Sequence, residues 1–171
     1  MDARVMPGPA YPQDMSLSHL NTAELVLTAT VRLFALEARN EDYGLDWHEG
    51  LITVGVLPCA VVAFGVLLGA IVKSAGKRLD IRCPLCSSLG EDEGEILQTI
   101  SLLQQQHFGE AYALLGKWFP PLEQGAMISP AAHAAFGCAK CGLRVPWRWI
   151  DTSMLDYSTA PFSHVRETFV N

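Results

Sequence analysis

A chain of 171 residues, half of them hydrophobic and 18% charged, with a mean hydropathy of +0.21, is long enough to bury a core without cross-links. Its formal net charge of -6 and pI near 5.3 exclude a protein whose main business is gripping a phosphate backbone, which needs clustered Lys and Arg, so no nucleic-acid partner is expected. So much apolar content in so few charges demands either a membrane segment or a well-buried helical core.

The start, MDARVMPGPAYPQD, is Pro-rich and polar and has no apolar stretch of the kind a secretory signal needs. Residues 1–16 therefore read as a disordered tail, and the expected location is cytoplasmic. Asn21-Thr-Ala-Glu24 is a capping box that opens a helix through about Arg39, with Leu25, Val26, Ala29, Leu33 and Leu36 on its apolar side. The acidic loop NEDYGLD follows, and a short helix begins near Asp46. Residues 1–50 hold eight acids against three bases, whereas Lys73, Lys77, Arg78 and Arg82 face a lone Asp80 over residues 73–82. That basic run is read as a solvated helix end.

The run LITVGVLPCAVVAFGVLLGAIV, Leu51 to Val72, has 22 residues and no charge. Length and hydropathy make it a candidate membrane span over about 51–73, and the bases after it would place the C-terminal part on the cytoplasmic side of an inner membrane. Gly55-Val-Leu-Pro58 instead reads as a stop and restart, with Pro58 in the first turn of a new helix. The uninterrupted helix from Pro58 to Ala75 spans only about 25 Å, short of the ~30 Å hydrocarbon core. A buried helix in a bundle and a single-pass span both stay open.

KRLDIRC alternates like a short strand and runs into the first cysteine pair. Glu91, Asp92, Glu93 and Glu95 then load a helix start, where carboxylates suit the macrodipole, and that helix runs to about Gln106. After a break at His107-Phe-Gly, EAYALLGKWF forms a second helix stopped by Pro120 and Pro121. SPAAHAAFG reads as a short separate helix with Ser129 as N-cap, Pro130 first and Gly137 as terminator. LRVPWRWI reads as a strand that Pro146 places on an edge or at a bulge, and residues 151–171 as an irregular tail.

Two pairs, Cys83-Pro-Leu-Cys86 and Cys138-Ala-Lys-Cys141, stand 51 residues apart. Tetrahedral zinc takes four thiolates, and each CxxC turn can aim two sulfurs at one point. The pairs resemble the two knuckles of a zinc ribbon with a helical insert, which implies a structural zinc held by Cys83, Cys86, Cys138 and Cys141. The insert departs from a compact ribbon, whose knuckles stand about 15–20 residues apart. Disulfide-bonded or buried core pairs, and a redox centre at Cys83 and Cys86, stay open beside zinc. Cys59 reads as a small buried hydrophobe, and His133 as a solvent-facing or capping side chain.

ILQTISLLQQQHFGEAYALLGKWFPP resembles a single tetratricopeptide-type hairpin, and LDIRCPLCSSLGEDEGEILQTISLLQQQ resembles part of an uncharacterised bacterial family of small helical proteins to which no activity attaches. The expected fold is mainly α: a helical bundle over residues 17–150 with a short two-stranded zinc-ribbon-like element. No phosphate loop, HExxH or GxSxG stands in the sequence, so neither catalysis nor a small-molecule substrate is evident. The expected function is non-catalytic: a zinc-stapled protein that binds another protein as adaptor, regulator or assembly subunit, with the helical hairpin and exposed aromatics such as Trp118, Trp147 and Trp149 as the contact surface. A membrane subunit with a cytoplasmic zinc module, and a thiol oxidoreductase using Cys83 and Cys86, are the alternatives.

Overall fold

The structure, a computed structural model, describes residues 10–41, 44–75 and 78–148. Six α-helices follow one another: α1 (Thr22–Ala38), α2 (Trp47–Thr53), α3 (Pro58–Ser74), α4 (Glu91–Gln104), α5 (Phe108–Leu115) and α6 (Pro121–Lys140). The expected capping box opens α1: Asn21 Oδ1 accepts from the Glu24 amide at 2.8 Å, and Glu24 Oε2 accepts from the Asn21 amide at 2.7 Å. Asp46 caps α2 through the His48 amide, and Pro58 starts α3.

The apolar run is broken where the sequence indicates. Gly55, at φ +94°, turns the chain between α2 and α3, a conformation that favours glycine. Among the described residues no helix is long and apolar enough to cross a membrane. Instead α3 lays Ala60, Val61, Phe64, Leu67, Leu68 and Ile71 into the core, packing chiefly against α6. Gly137 of α6 lies directly against Ala60 of α3, so that a Cβ there would overlap the alanine methyl. On another side, Gly65 leaves room for the Trp47 ring, which meets Phe34 edge-on at 5.5 Å and donates its Nε1–H to Glu37.

Several expectations change. Parts of residues 10–16 are held against the fold: Ala10 and Tyr11 are buried, and Ser16 bridges to Ser88, while Pro12, Gln13 and Asp14 are exposed. Residues 1–9 and 151–171, with the expected tails, lie outside the described residues. The short helix proposed at Ser129 is part of one 20-residue helix, with Pro130 inside it and Gly137 short of its end. Tertiary packing overrides the local stop signals here, since Ala131, Ala134, Ala135 and Cys138 all bury against neighbouring helices.

Neither expected strand forms among the described residues. The alternation is real: Leu79 and Ile81 pack on the core from one segment, Leu143 and Val145 from the other. What differs is the partner of the backbone, which is α4 rather than a neighbouring strand. Asp92 accepts from the Asp80 amide at 2.7 Å and Glu93 from the Arg82 amide at 3.1 Å. Gln104 accepts from the Val145 amide and donates to the Leu143 carbonyl, while Ser101 donates to Val145 and Pro146. Buried backbone must be paired, and side chains of one helix do the pairing. The α4–α5 hairpin is present, its turn made by Gln106 at φ +64°.

Candidate functional site

The two cysteine pairs are built differently. Cys83 and Cys86 sit in a turn ahead of α4, where the Cys86 amide donates to the Cys83 carbonyl at 3.1 Å and the two sulfurs form a disulfide. Cys83 is exposed, Cys86 half-buried, and Leu85 between them is 85% exposed. Cys138 and Cys141 lie at the end of α6. Cys138 is buried, the Cys141 thiol donates to the Cys138 carbonyl at 3.1 Å, and Gly142 at φ +90° ends the helix. The glycine after the second pair ends a helix.

The structure does not bring the four sulfurs to one point. The first pair is anchored to α1 and the second lies beside the α2–α3 turn, where Gly55 approaches the Cys141 Cβ. Among the described residues no group of three or more His, Cys, Asp or Glu is arranged to hold a metal, so the expected zinc site is not shown. His133 is exposed and bonds its own helix through the Ser129 carbonyl. Burial, with Cys141 adding to it, pushes the Cys138 thiol up to about 12, so this thiol stays protonated and inert at neutral pH.

The first pair is held in place by a buried charge. Arg32 of α1 is almost fully buried and grips Glu93 with two hydrogen bonds, Nε to Oε1 at 2.7 Å and Nη2 to Oε2 at 3.0 Å. Its remaining donors reach the carbonyls of Cys86 and Ser88, both at 2.7 Å. Glu93 completes its set with the amides of Gly90 and Arg82. The sequence marked Glu93 as a helix-start acid; it missed Arg32, because a lone Arg inside an amphipathic helix reads as a solvated residue.

A second buried acid, Glu24, gathers Tyr11, Asn21 and Arg148. The Tyr11 hydroxyl donates at 2.8 Å, and Arg148 donates from Nε at 2.6 Å and Nη2 at 2.8 Å. Burial opposes ionisation of Glu24, but the hydrogen bonds from Arg148, the Asn21 amide and Tyr11 outweigh it and hold the carboxyl below its ordinary range. Burial, and then the Glu24 charge, push the Tyr11 hydroxyl upward.

Beside Cys83 opens a cleft of about 440 Å³ lined by Arg39, Arg78, Asp80 and Arg82. Arg82 is paired with Asp80 and Asp14. Elsewhere, the expected aromatic surface is not a surface at Trp118, which is buried and donates to Asp92 at 2.8 Å. Trp147 is half-buried against His107, and Trp149 lies outside the described residues. Exposed apolar side chains are scattered, among them Leu25, Leu45, Leu85, Phe108, Tyr112 and Leu122, but six gather in the α2–α3 segment: Leu57, Val62, Val66 and Val72, with Ile52 and Val54 before them. Cys59, expected in the core, is exposed among them.

No protein-family model, no curated protein and no solved structure matches this chain.

Proposed function

We propose that this is a non-catalytic helical protein that works by docking an apolar helix of another protein along the outer face of α3. The carrying observation is that face itself. Val62 is 64% exposed, Leu57 54% and Val66 49%, and Cys59 joins them. Positions 59, 62 and 66 recur at the three- and four-residue steps by which a helix presents one side, the pattern through which helix-in-groove partners are recognised. No charge interrupts the sequence from Leu51 to Val72, so a charged partner surface would be desolvated there without compensation. A partner helix with its own apolar stripe removes these side chains from water at about 25 cal/mol per Å² of apolar surface.

The double substitution V62D/V66D tests this reading. Both side chains point outward, so the thermal midpoint should stay within a few degrees of the parent, while the complex in which the chain migrates during native fractionation of its cells should collapse to the free chain. A parent chain that already migrates free, or a complex that survives the substitutions, overturns the proposal. Flotation of the parent but not the variant with lipid vesicles also overturns it, in favour of a membrane surface.

A further inference from the structure

We infer that Cys83 and Cys86 form a thiol–disulfide exchange site whose co-reactant is a carboxylate-bearing, anionic low-molecular-weight thiol held by Arg39 and Arg78. The inference goes beyond helix docking and uses a different part of the molecule. Three observations meet at this site.

The first is the disulfide's place in the chain. It closes a loop across a sequence separation of 3, and a bridge that constrains so short a loop removes little entropy from the unfolded chain. The core it adjoins is already held by the Arg32–Glu93 pair. The bond therefore contributes little to folding, and its chemistry is the reason to look further.

The second is the asymmetry of the two sulfurs' residues. Cys83 is exposed and lines the cleft, whereas Cys86 is half-buried and tied down at its carbonyl by Arg32. An incoming thiolate reaches the Cys83 side, and the residue left behind is the one fixed to the scaffold.

The third is the cleft's charge. Three guanidinium-bearing residues, Arg39, Arg78 and Arg82, line it against one carboxylate, Asp80. Arg82 is occupied by Asp80 and Asp14, while Arg39 and Arg78 are exposed and have no ion-pair partner among the described residues. Guanidinium groups bind carboxylates through paired donors, and a cleft with an excess of positive charge raises the local concentration of anions.

The exchange balances without an outside oxidant. A thiolate of the co-reactant attacks the Cys83 sulfur, the Cys83–Cys86 bond breaks, and its electron pair leaves on Cys86 as a thiolate that takes up a proton. A second co-reactant thiolate attacks the mixed disulfide at its non-protein sulfur and releases Cys83 as thiolate. Two thiols are oxidised to one disulfide while the protein disulfide is reduced to two thiols, and the reverse direction oxidises the protein.

The test compares reduction of the full chain by glutathione and by neutral 2-mercaptoethanol at equal thiolate concentration and low salt, read by alkylation and peptide mass spectrometry. Reduction by glutathione should be faster by about tenfold, the lower end of electrostatic enhancement, and the preference should fall toward one in R39S/R78S. These arginines are exposed, so the variant keeps the fold. The C86S chain exposed to glutathione disulfide should carry its adduct on Cys83 ahead of Cys59, which is also exposed. Equal rates with the two thiols, a preference that survives R39S/R78S, or an adduct forming first on Cys59 would each overturn the inference.

Discussion

Arg32 and Glu93 form a two-pronged ion pair at 2.7 and 3.0 Å with both side chains out of water, joining the middle of α1 to the first turn of α4. Four further contacts, from two carbonyls and two amides, surround the pair. Because each member is the only charge that neutralises the other in this buried pair, removing one strands a buried charge. Arg32→Leu should therefore cost about 3–5 kcal/mol of folding stability, measured by denaturant unfolding. The double variant R32L/E93L should recover part of that loss but not all, because the carbonyls of Cys86 and Ser88 still lack a donor. A single-variant cost under about 1 kcal/mol would show that the pair is not buried as described.

Glu24 makes stability depend on acid. Its carboxyl in the folded protein titrates below the ordinary value of 4.5, so the unfolded chain binds the proton more readily. The sign follows: Glu24's contribution is fully present above the unfolded value and is lost as pH falls below 4.5 and through the lower folded value. Unfolding titrations from pH 7 to pH 3 should show the parent losing stability faster than Glu24→Gln. Parallel pH profiles would contradict this account.

The close approach of α3 and α6 rests on Gly137 and Ala60. Gly137→Ala places a methyl group into the Ala60 methyl and should cost about 1–3 kcal/mol despite alanine's better helix propensity. Ala60→Gly in the same chain should restore part of the loss. A double-mutant cycle measures that coupling, and a coupling of zero would mean the two helices do not meet here.

Four of the five cysteines should fall into three reactivity classes. In native protein, Cys59 should react readily with a maleimide and Cys138 should resist until denaturant is added. Cys83 and Cys86 should stay blocked until a reductant is present. Metal analysis beside the thiol count bears on the separation of the pairs: one tightly held zinc per chain with all four paired thiols protected would contradict it.

The helices were legible because their signals are local. Asn21 with Glu24, Asp46 before Trp47, and Gly55 followed by Pro58 each fix a boundary through neighbours within a few residues. The strand expectations failed although the alternation was read correctly. Period-two burial says which side chains face inward, but not whether a backbone amide will meet a strand or the carboxylates of Asp92 and Glu93. Ser129, Pro130 and Gly137 misled for a related reason, since packing of the small residues of α6 outweighs three separate breaking signals.

The site was less legible still. CxxC spacing looks the same whether the pair closes on itself, as Cys83 and Cys86 do, or rides the end of a helix, as Cys138 and Cys141 do. Only the third dimension separates the two. Exposure of Val62 and Val66 within an uncharged helix was likewise hidden, because an apolar run names no inner or outer side until its neighbours are placed.

The docking role of α3 is tested most directly by photo-crosslinking from Cys59 carrying a benzophenone maleimide, in full-length protein returned to its cells. The account predicts adducts on one partner, mapped by mass spectrometry to apolar positions on one face of a helix and absent in V62D/V66D. Adducts confined to lipid, or scattered over many proteins and unchanged in V62D/V66D, would contradict it.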